Sequence, residues 1–398
     1  MLRALAVDRT GTGLWAASSV LYLTFVTHLS AQQIGVLLGT AGVAGIAGSP
    51  LAGRLAGRFP VRPLLIGCHL LRLVTLTLVL LCTRFEALLV VVAVTYLGDR
   101  AAKTLEMLFA TRAAGERRAA YQALSRSAAN AGYGLGAGLA AIGLAAGTTD
   151  AYRALILGNA LSFLIAAALV WRTGEPGGVA KAARSEVCRP SAKGPWRDRG
   201  YLRFVLLDIP MNLDDSVLGV GLPLWLVTRT SAPHALVPAF LVINTALVVL
   251  LQLAVSRRAE GPGKAVRAVA VYGGLLFACC ALLAASTGCG PWAAAVVLLG
   301  AAVLVTMAEL MRSVSSWELA VLLAPPDERA AYLGVAGMSQ SIQKSAGPPL
   351  LTGVVMATGP AGWLALGVAV AGLAVWQRRC CEQRLGAMEA PEAVAAAG

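Results

Sequence analysis

Long apolar stretches separated by short polar ones dominate this chain. About a dozen of them are each near the ~20 residues that an α-helix needs to cross a bilayer. Segments of a membrane β-barrel would instead be shorter, with apolar and polar residues in alternation, and none is found. The pattern therefore predicts an all-α membrane protein with twelve transmembrane spans. In chain order they are Gly11–Leu29, Ile34–Leu55, Leu64–Leu81, Ala87–Phe109, Ala120–Leu144, Ala151–Trp171, Phe204–Leu226, Ala235–Val255, Ala265–Ser286, Trp292–Arg312, Ala330–Met356 and Trp363–Trp376.

Composition supports the same class of protein. The chain has 398 residues, of which 58% are hydrophobic and 13% are charged, and its mean hydropathy is +0.72. Soluble domains carry about a quarter charged residues. A water-soluble protein of this length could not hide so much apolar surface, whereas lipid covers the outside of a membrane protein.

The placement of basic residues predicts the orientation. Most of the 33 Lys and Arg residues fall in the loops on one side of the predicted membrane, and only Arg84, Arg153 and Arg229 fall on the other. Cytoplasmic loops are the basic ones, so both termini are predicted to be cytoplasmic. Basic loops beside anionic lipid also explain the net charge of +13, and no nucleic-acid partner is expected.

Motifs for catalysis are missing from the sequence. The segment Gly261–Lys264 resembles a phosphate-binding loop, but Ala265 replaces the required Ser or Thr and no strand precedes it. The eight cysteines form no Cys-x-x-Cys pair and no metal-ligand spacing with the three histidines. We therefore expect no enzyme activity, no metal and no cofactor, and any transport work must draw on a gradient.

Short motifs recur in the same order in the two halves. They are Leu2-Arg3 with Asp8, repeated as Leu202-Arg203 with Asp208, and Glu116–Tyr121, repeated as Glu328–Tyr332. This repeat predicts a six-helix bundle over 1–171, a basic cytoplasmic linker over 172–200, a second bundle over 201–377 and a disordered tail over 378–398. Parallel repeats of this kind place a solute site between the halves, near the midplane of the membrane.

The loop between the second and third spans carries a family resemblance. It reads Gly-Arg-Leu-Ala-Gly-Arg-Phe-Pro-Val-Arg from Gly53 to Arg62 and resembles the loop signature of the major facilitator superfamily (MFS). Gly53, Arg58 and Arg62 match its gating loop, but Gly57 replaces the acid that helps to gate the cytoplasmic side. The resemblance implies alternating access of two six-helix halves to a small-molecule substrate, without a cofactor.

The Ala- and Arg-rich style of the chain also resembles exporters of that superfamily in actinobacteria. This implies the bacterial inner membrane as the location. The protein is expected to work as a monomer in the lipid bilayer.

The seventh span has the densest set of polar residues. Asp208, Asn212 and Asp215 are spaced to share one helix face, with Asp214 about 100° away. Burial and mutual repulsion disfavour the doubly charged state of the adjacent pair Asp214 and Asp215, so the pair is predicted to carry protons. In the alternative interpretation the acids only hold helices together through salt bridges to Arg126, Arg72 or Lys344.

Other spans contribute further candidates. In the fourth, Asp99 and Arg100 are predicted to take part in proton coupling. A competing explanation is that Asp99 and Lys103 neutralise each other at i,i+4, with Glu106 on the same helix face. In the tenth, Glu309 and Arg312 are predicted to pair, and Glu318 is predicted to be a solvated end. The predicted substrate cavity contains Asp208, Asn212, Arg126, Arg72, Gln340, Gln343, Lys344, Asn244, Trp15 and Tyr22.

Three of these cavity candidates have competing explanations. Pro348 and Pro349 are predicted to kink the eleventh span beside Lys344. The kink either exposes backbone carbonyl groups to the cavity or serves only as a hinge. Asn244 is also expected to make an interhelical hydrogen bond. Trp15 and Tyr22 either line an aromatic pocket or anchor the first span at the membrane interface.

These observations favour a proton-coupled exporter of a small organic or amphipathic compound. The alternatives are a symporter or facilitator that imports a polar nutrient, and a transport-inactive sensor or scaffold.

Labelling of intact cells tests the predicted topology. Reporter or cysteine labels near Arg189 and Arg379 should stay protected from an external reagent, and labels near Asp150 and Pro291 should react. Reaction of a label near Arg189 with the external reagent would contradict the orientation deduced from the basic residues.

Overall fold

The computed structural model describes residues 1–114, 118–145, 148–173, 194–233, 236–258 and 261–396. All regular structure in these ranges is helical. The first six helices are α1 (Leu2–Phe25), α2 (Ala31–Ala56), α3 (Val61–Leu81), α4 (Phe85–Ala114), α5 (Arg118–Ala145) and α6 (Thr149–Trp171).

The second six follow the same order along the chain. The seventh consists of α7a (Arg199–Asp208), a 3₁₀ turn (Pro210–Asn212), α7b (Leu213–Ser216), a π-helical segment (Val217–Gly221) and α7c (Leu222–Arg229). The eighth to tenth are α8 (Val237–Arg258), α9 (Pro262–Ala285) and α10 (Pro291–Leu322). After a 3₁₀ turn (Pro326–Glu328) come α11a (Arg329–Leu350), a π-helical segment (Leu351–Val355), α11b (Met356–Thr358) and α12 (Pro360–Ala396).

The chain divides into two compact units. The first unit contains Met1–Ser191 and Ala330–Ser341, and the second contains Ala192–Arg329 and Ile342–Gly398. In the first unit α1 packs on α5 and α6, α2 packs on α4, and α3 packs on α4 and α6. The equivalent pairs recur in the second unit, where α8 packs on α10, α9 packs on α10 and α12, and α7a packs on α12. This confirms the fold predicted from the sequence repeat.

Seven of the described helices are long and apolar enough to cross a membrane, and they lie in α2, α3, α6, α8, α9, α10 and α12. The other helices, α1, α4, α5 and the interrupted α7 and α11, carry most of the charged and polar residues singled out in the sequence, and α3, α8 and α10 carry the rest. Large apolar side chains such as Leu81, Ile142 and Leu250 point outward with more than 70% of their surface exposed. Such a surface is stable against lipid rather than water.

Three boundaries differ from the predicted spans. Helix α1 begins at Leu2 instead of Gly11, which brings Asp8 and Arg9 into the bundle. Helix α10 continues to Leu322, so Glu318 is buried and the predicted solvated end is wrong. Helix α12 continues through the segment predicted to be a disordered tail.

Side-chain contacts explain why this last helix persists. The guanidinium of Arg384 makes two hydrogen bonds of 2.7 Å with the carboxylate of Asp198. Cys381, one turn earlier, is buried. The predicted linker 172–200 lies mostly outside the described residues.

Helix 7 is interrupted where the sequence predicted a continuous span. Pro210 has no N–H to donate to the carbonyl of Leu206, which instead accepts the N–H of Ile209 at 3.3 Å. The side-chain amide of Asn212 donates to the carbonyl of Asp208 at 2.7 Å. A side chain thus satisfies a backbone group that the break leaves without its helical partner.

Glycines in α5 set the approach of α1. A β-carbon at Gly136 would lie 2.0 Å from the carbonyl oxygen of Thr10, whereas one at Gly138 would meet nothing within 4 Å. Small residues let membrane helices pack with their backbones in contact. Gly136 therefore has a steric role that Gly138 lacks.

Alanine substitution in α5 tests this packing. Gly136→Ala should lower the thermal unfolding temperature of the detergent-purified protein, because overpacking costs about 1–3 kcal/mol. Gly138→Ala is the matched control and should be neutral or stabilising, since Ala is favoured over Gly inside helices by about 1 kcal/mol. Equal stability of the two variants would contradict the close contact of α1 and α5.

Candidate functional site

The adjacent acids of helix 7 have different surroundings. Asp214 is buried, and its carboxylate accepts a hydrogen bond of 3.2 Å from the phenol of Tyr272 on α9. Asp215 is 57% exposed and forms a salt bridge of 2.9 Å with Lys344, which is 38% exposed. Lys344, one of the three partners that the alternative interpretation offered, therefore does contact Asp215.

Asp208 lies deeper in the second unit, in a buried ion pair. Its carboxylate binds the guanidinium of Arg312 on α10 and accepts a hydrogen bond of 3.1 Å from the amide of Gln377 on α12. The break at Pro210 separates Asp208 from Asp215, so these residues do not share one continuous helix face. The predicted pair of Glu309 with Arg312 is wrong, because Arg312 is held by Asp208.

The residues before the prolines of α11a contact α7b. The buried amide of Gln343 donates to the hydroxyl of Ser216 at 2.7 Å. Helix α11a continues through Pro348 and Pro349, and the irregular part is the π-helical segment that follows them. This segment contacts the π-helical segment of helix 7. Prolines and π-bulges in both helices thus meet within the second unit, and such bulges are frequent at functional sites.

The first unit contains a larger network of buried charges. Arg72 on α3 binds Asp8 on α1 at 2.6 Å and Asp99 on α4 at 3.2 Å. Asp99 also binds Lys103 at 2.7 Å, as its i,i+4 spacing predicts. Asp8 thus belongs to the bundle, although it precedes the stretch that hydropathy assigned to the first span.

Glu106 belongs to the same network through a different helix. Its carboxylate binds the guanidinium of Arg9 at 3.0 Å, and Arg9 also lies 3.5 Å from Asp8. The ion-pair network of α1, α3 and α4 is defined by these contacts. Its members are Asp8, Arg9, Arg72, Asp99, Lys103 and Glu106.

The remaining candidates lie at several places in the two units. Trp15 and Tyr22 are buried in the apolar core of the first unit, and the hydroxyl of Tyr22 donates to the carbonyl of Val79 at 3.2 Å. Arg126 on α5 is partly buried, and Gln340 on α11a is exposed. Neither Trp15 nor Tyr22 is an exposed anchor at the membrane interface.

Two further candidates make contacts that identify their surroundings. Asn244 bridges α8 to α10 through a hydrogen bond of 2.6 Å to the carboxylate of Glu309, as expected of an interhelical bond. The side chain of Arg100 packs along α2, where a β-carbon at Gly45 or Gly48 would lie within 3.3 Å of it.

The loop that resembles the family signature follows a close helix contact. A β-carbon at Gly53 would lie 2.6 Å from the carbonyl of Ala330 and 3.0 Å from the Cα of Gly334, both in the part of α11a that belongs to the first unit. Arg58 is exposed, and Arg62 donates to the carbonyl of Trp171 at the end of α6. Gly53 is therefore required for backbone contact, a role that the motif alone did not reveal.

Sequence reasoning missed several residues of these clusters. Asp8 and Arg9 were placed before the first span, His69 was not distinguished from other core residues, and Tyr272 was not considered. One signal was present: Asp8 recurs as Asp208, and both acids form buried pairs with an arginine. The pairing arginines occupy helices that are not equivalent, α3 and α10, so the repeat does not predict them.

Comparison with known proteins identifies a sequence family. The family model "Major Facilitator Superfamily" matches residues 6–348. The sequence matches no curated protein.

Three solved structures illustrate the likeness of fold. A bacterial homologue of the iron transporter ferroportin, in its outward-facing state, has a TM-score of 0.73 at 16% identity, with 96% of this chain and 98% of that chain covered. The human organic anion transporter MFSD10 (TETRAN) has a TM-score of 0.69 at 16% identity, with 96% and 97% covered. A variant of the E. coli fucose:proton symporter FucP has a TM-score of 0.68 at 12% identity, with 95% and 98% covered. At these identities the likeness concerns the fold alone.

Removal of one partner tests the buried pair of the second unit. Asp208→Asn should strongly reduce the yield of folded protein, since a buried charge that loses its partner costs ~3–5 kcal/mol. Adding Arg312→Met should restore part of the yield, because it removes the stranded charge. Glu382→Gln breaks the exposed pair with Arg378 and should leave the yield unchanged. A double variant as unstable as Asp208→Asn would contradict the pairing.

Proposed function

The chain belongs to the Major Facilitator Superfamily, and we propose that this membrane transporter exports a small organic or amphipathic compound in exchange for protons. In this proposal Asp214 and Asp215 carry the protons, with Asp99 and Arg100 as further coupling residues. The protein works by alternating access in the bacterial inner membrane, with both termini in the cytoplasm. The proton gradient supplies the work, including about 2.3 kcal/mol per charge for each 100 mV of membrane potential.

The observation that carries the proposal is the different pairing of the two adjacent acids. Asp215 is held by the ammonium group of Lys344, and Asp214 accepts a hydrogen bond from the neutral hydroxyl of Tyr272. A proton on Asp215 removes the charge that attracts Lys344, which loosens helix 7 from α11a beside the two π-helical segments. Proton binding is thereby linked to contacts of interrupted helices, the parts of the second unit with the fewest regular backbone hydrogen bonds.

The residues that the sequence predicted for the substrate cavity differ in their exposure. Asn212, Asp208, Gln340, Gln343, Lys344, Asn244, Arg126, Arg72, Trp15 and Tyr22 are its sequence-derived members. Lys344 and Gln340 have exposed side chains, so they are the better candidates for contact with a solute, and Asp208 and Arg72 lie in buried ion pairs.

A proton symporter that imports a polar compound is the competing function. Two proteins of similar fold are named as proton symporters, for xylose and for fucose. Export is favoured here only by the Ala- and Arg-rich style of the chain, which resembles that of actinobacterial exporters. The direction of solute flux under an imposed proton gradient distinguishes the two functions: exchange moves the solute against the proton flow, and symport moves it along with the protons.

Asparagine substitutions test the role of the acids in coupling. Asp215→Asn, and less strongly Asp214→Asn, should abolish uphill transport in proteoliposomes, because the amide cannot carry a proton, while solute counterflow can persist. Proton flux and solute flux are measured together across a panel of compounds. Asp150→Asn, at an exposed carboxylate of α6, is the control and should transport like the wild type.

The double variant Asp214→Asn/Asp215→Asn decides between coupling and a purely structural role. Uphill transport at the wild-type rate in this variant would overturn the assignment of both acids. Retained folding should be checked by size-exclusion chromatography, since Asp215→Asn leaves Lys344 without this carboxylate. Adding Lys344→Gln removes that charge and should restore the elution profile if the loss of the carboxylate disturbs folding, so it controls for folding and not for transport.

A further inference from the structure

His69 on α3 is a buried titratable residue to which the proposed transport mechanism assigns no role. Its side chain is 1% exposed, and its ring stacks on Phe163 of α6 with centroids 6.4 Å apart. The Nδ1 atom lies 3.7 Å from the carboxylate of Asp8 and has no hydrogen-bond partner among the residues that the structure describes. A polar atom thus faces a carboxylate at a distance just too long for a hydrogen bond.

The chemistry of imidazole makes this arrangement sensitive to one proton. In the neutral ring one nitrogen carries a hydrogen and the other presents a lone pair. A lone pair on Nδ1 is repelled by the carboxylate of Asp8, whereas a protonated Nδ1 would donate a charge-assisted hydrogen bond to it. The His69 ring and the Asp8 carboxylate need to approach each other only slightly for this hydrogen bond to form.

A proton on His69 would compete with Arg72, since both face the same oxygen of Asp8. Arg72 donates to Asp8 Oδ1 at 2.6 Å, the oxygen that also lies nearest to His69. Arg72 has two further contacts, with the carboxylate of Asp99 at 3.2 Å and with the ring of Phe163 at 3.8 Å. If Arg72 lost its contact with Asp8, its guanidinium would therefore still have partners inside the bilayer.

The groups around His69 come from each helix packed against it. Helix α1 contributes Asp8 and Arg9, α3 contributes Arg72, and α4 contributes Asp99. Helix α6 contributes the uncharged ring of Phe163, which can stabilise a protonated imidazole as it stabilises the neighbouring guanidinium. Burial of the ring is the largest effect and opposes proton binding, as do the two arginines, whereas the acids and the aromatic face favour it.

We propose that His69 is a proton-binding site of the first unit, in which a proton on Nδ1 pairs with Asp8 and transfers Arg72 to Asp99. The contact between α1 and α3 then changes from a carboxylate–guanidinium pair to a carboxylate–imidazolium pair. Binding of this proton is independent of Asp214 and Asp215. Its use in transport rests on the proton coupling proposed above.

Nuclear magnetic resonance of the imidazole rings tests proton binding directly. The sequence contains three histidines, His28, His69 and His234, so ¹⁵N-histidine labelling of the full chain in nanodiscs yields few signals. His69→Gln identifies the signal of His69, and His28→Gln is the matched control. As the pH falls from about 8 to about 4, the His69 signal should change from a neutral to a protonated ring. A ring that stays neutral throughout, in protein that stays folded, would overturn the proposal.

Two variants test the partners. Asp8→Asn should weaken proton binding at His69 by about tenfold or more, because a nearby opposite charge shifts such an equilibrium by at least that factor. Phe163→Leu should weaken it by a smaller factor, and it leaves every charged group in place if Asp8→Asn does not fold. Unchanged proton binding at His69 in Phe163→Leu and in any folded Asp8→Asn protein would contradict the assigned geometry.

Flux measurements distinguish this proposal from the proposed function. If the wild type shows no proton flux with any compound but His69 becomes protonated in the magnetic resonance experiment, proton coupling fails and the proton-binding site stands. If His69→Gln and His28→Gln transport with the same dependence on pH while His69 is protonated in the wild type, the site binds a proton that transport does not use. If transport is coupled and His69 never becomes protonated, the proposal on His69 fails alone.

Discussion

The high free energy of a charge inside the bilayer is the constraint on which the polar structure of this protein depends. A charged side chain at the centre of a membrane helix costs at least about 2.5–3.5 kcal/mol, so such groups pair or face a cavity. Asp8 with Arg72 and Asp208 with Arg312 meet this requirement in the first and second units respectively. Each pair joins two helices. It restricts how far these helices can move apart, because separation would leave both charges without a partner.

The interruptions of helices 7 and 11 follow from the same constraint applied to the backbone. Prolines remove N–H donors, and irregular backbone survives at membrane depth only where other groups satisfy it. Asn212 does this for the carbonyl of Asp208, and the π-helical segments accommodate the changed pattern beside Pro223 and after Pro349. The broken helices therefore need polar side chains nearby, which places backbone irregularity and titratable groups in the same part of the second unit.

Hydropathy predicted the helices because the length of an apolar stretch is a local property, and the repeat of Asp8 as Asp208 correctly indicated two similar bundles. Partners of charged residues depend on contacts far apart along the chain. Glu106 was expected on the same face as Asp99 and Lys103, but its ion pair with Arg9 was not predicted, because it depends on α1 beginning as early as Leu2. Spacing also missed the break at Pro210, since an i, i+4, i+7 pattern assumes a continuous helix.

The two units differ in how their equivalent positions are used, and this difference concentrates the candidate chemistry. Tyr272 stands 200 residues after Arg72, as Asp208 stands 200 residues after Asp8. Arg72 binds two carboxylates, whereas the phenol at Tyr272 donates one hydrogen bond to Asp214 and brings no positive charge. The repeated position therefore holds an arginine with two ion-pair partners in the first unit and a tyrosine hydrogen-bonded to a carboxylate in the second, so equivalent positions in the two bundles satisfy their buried acids by different chemistry.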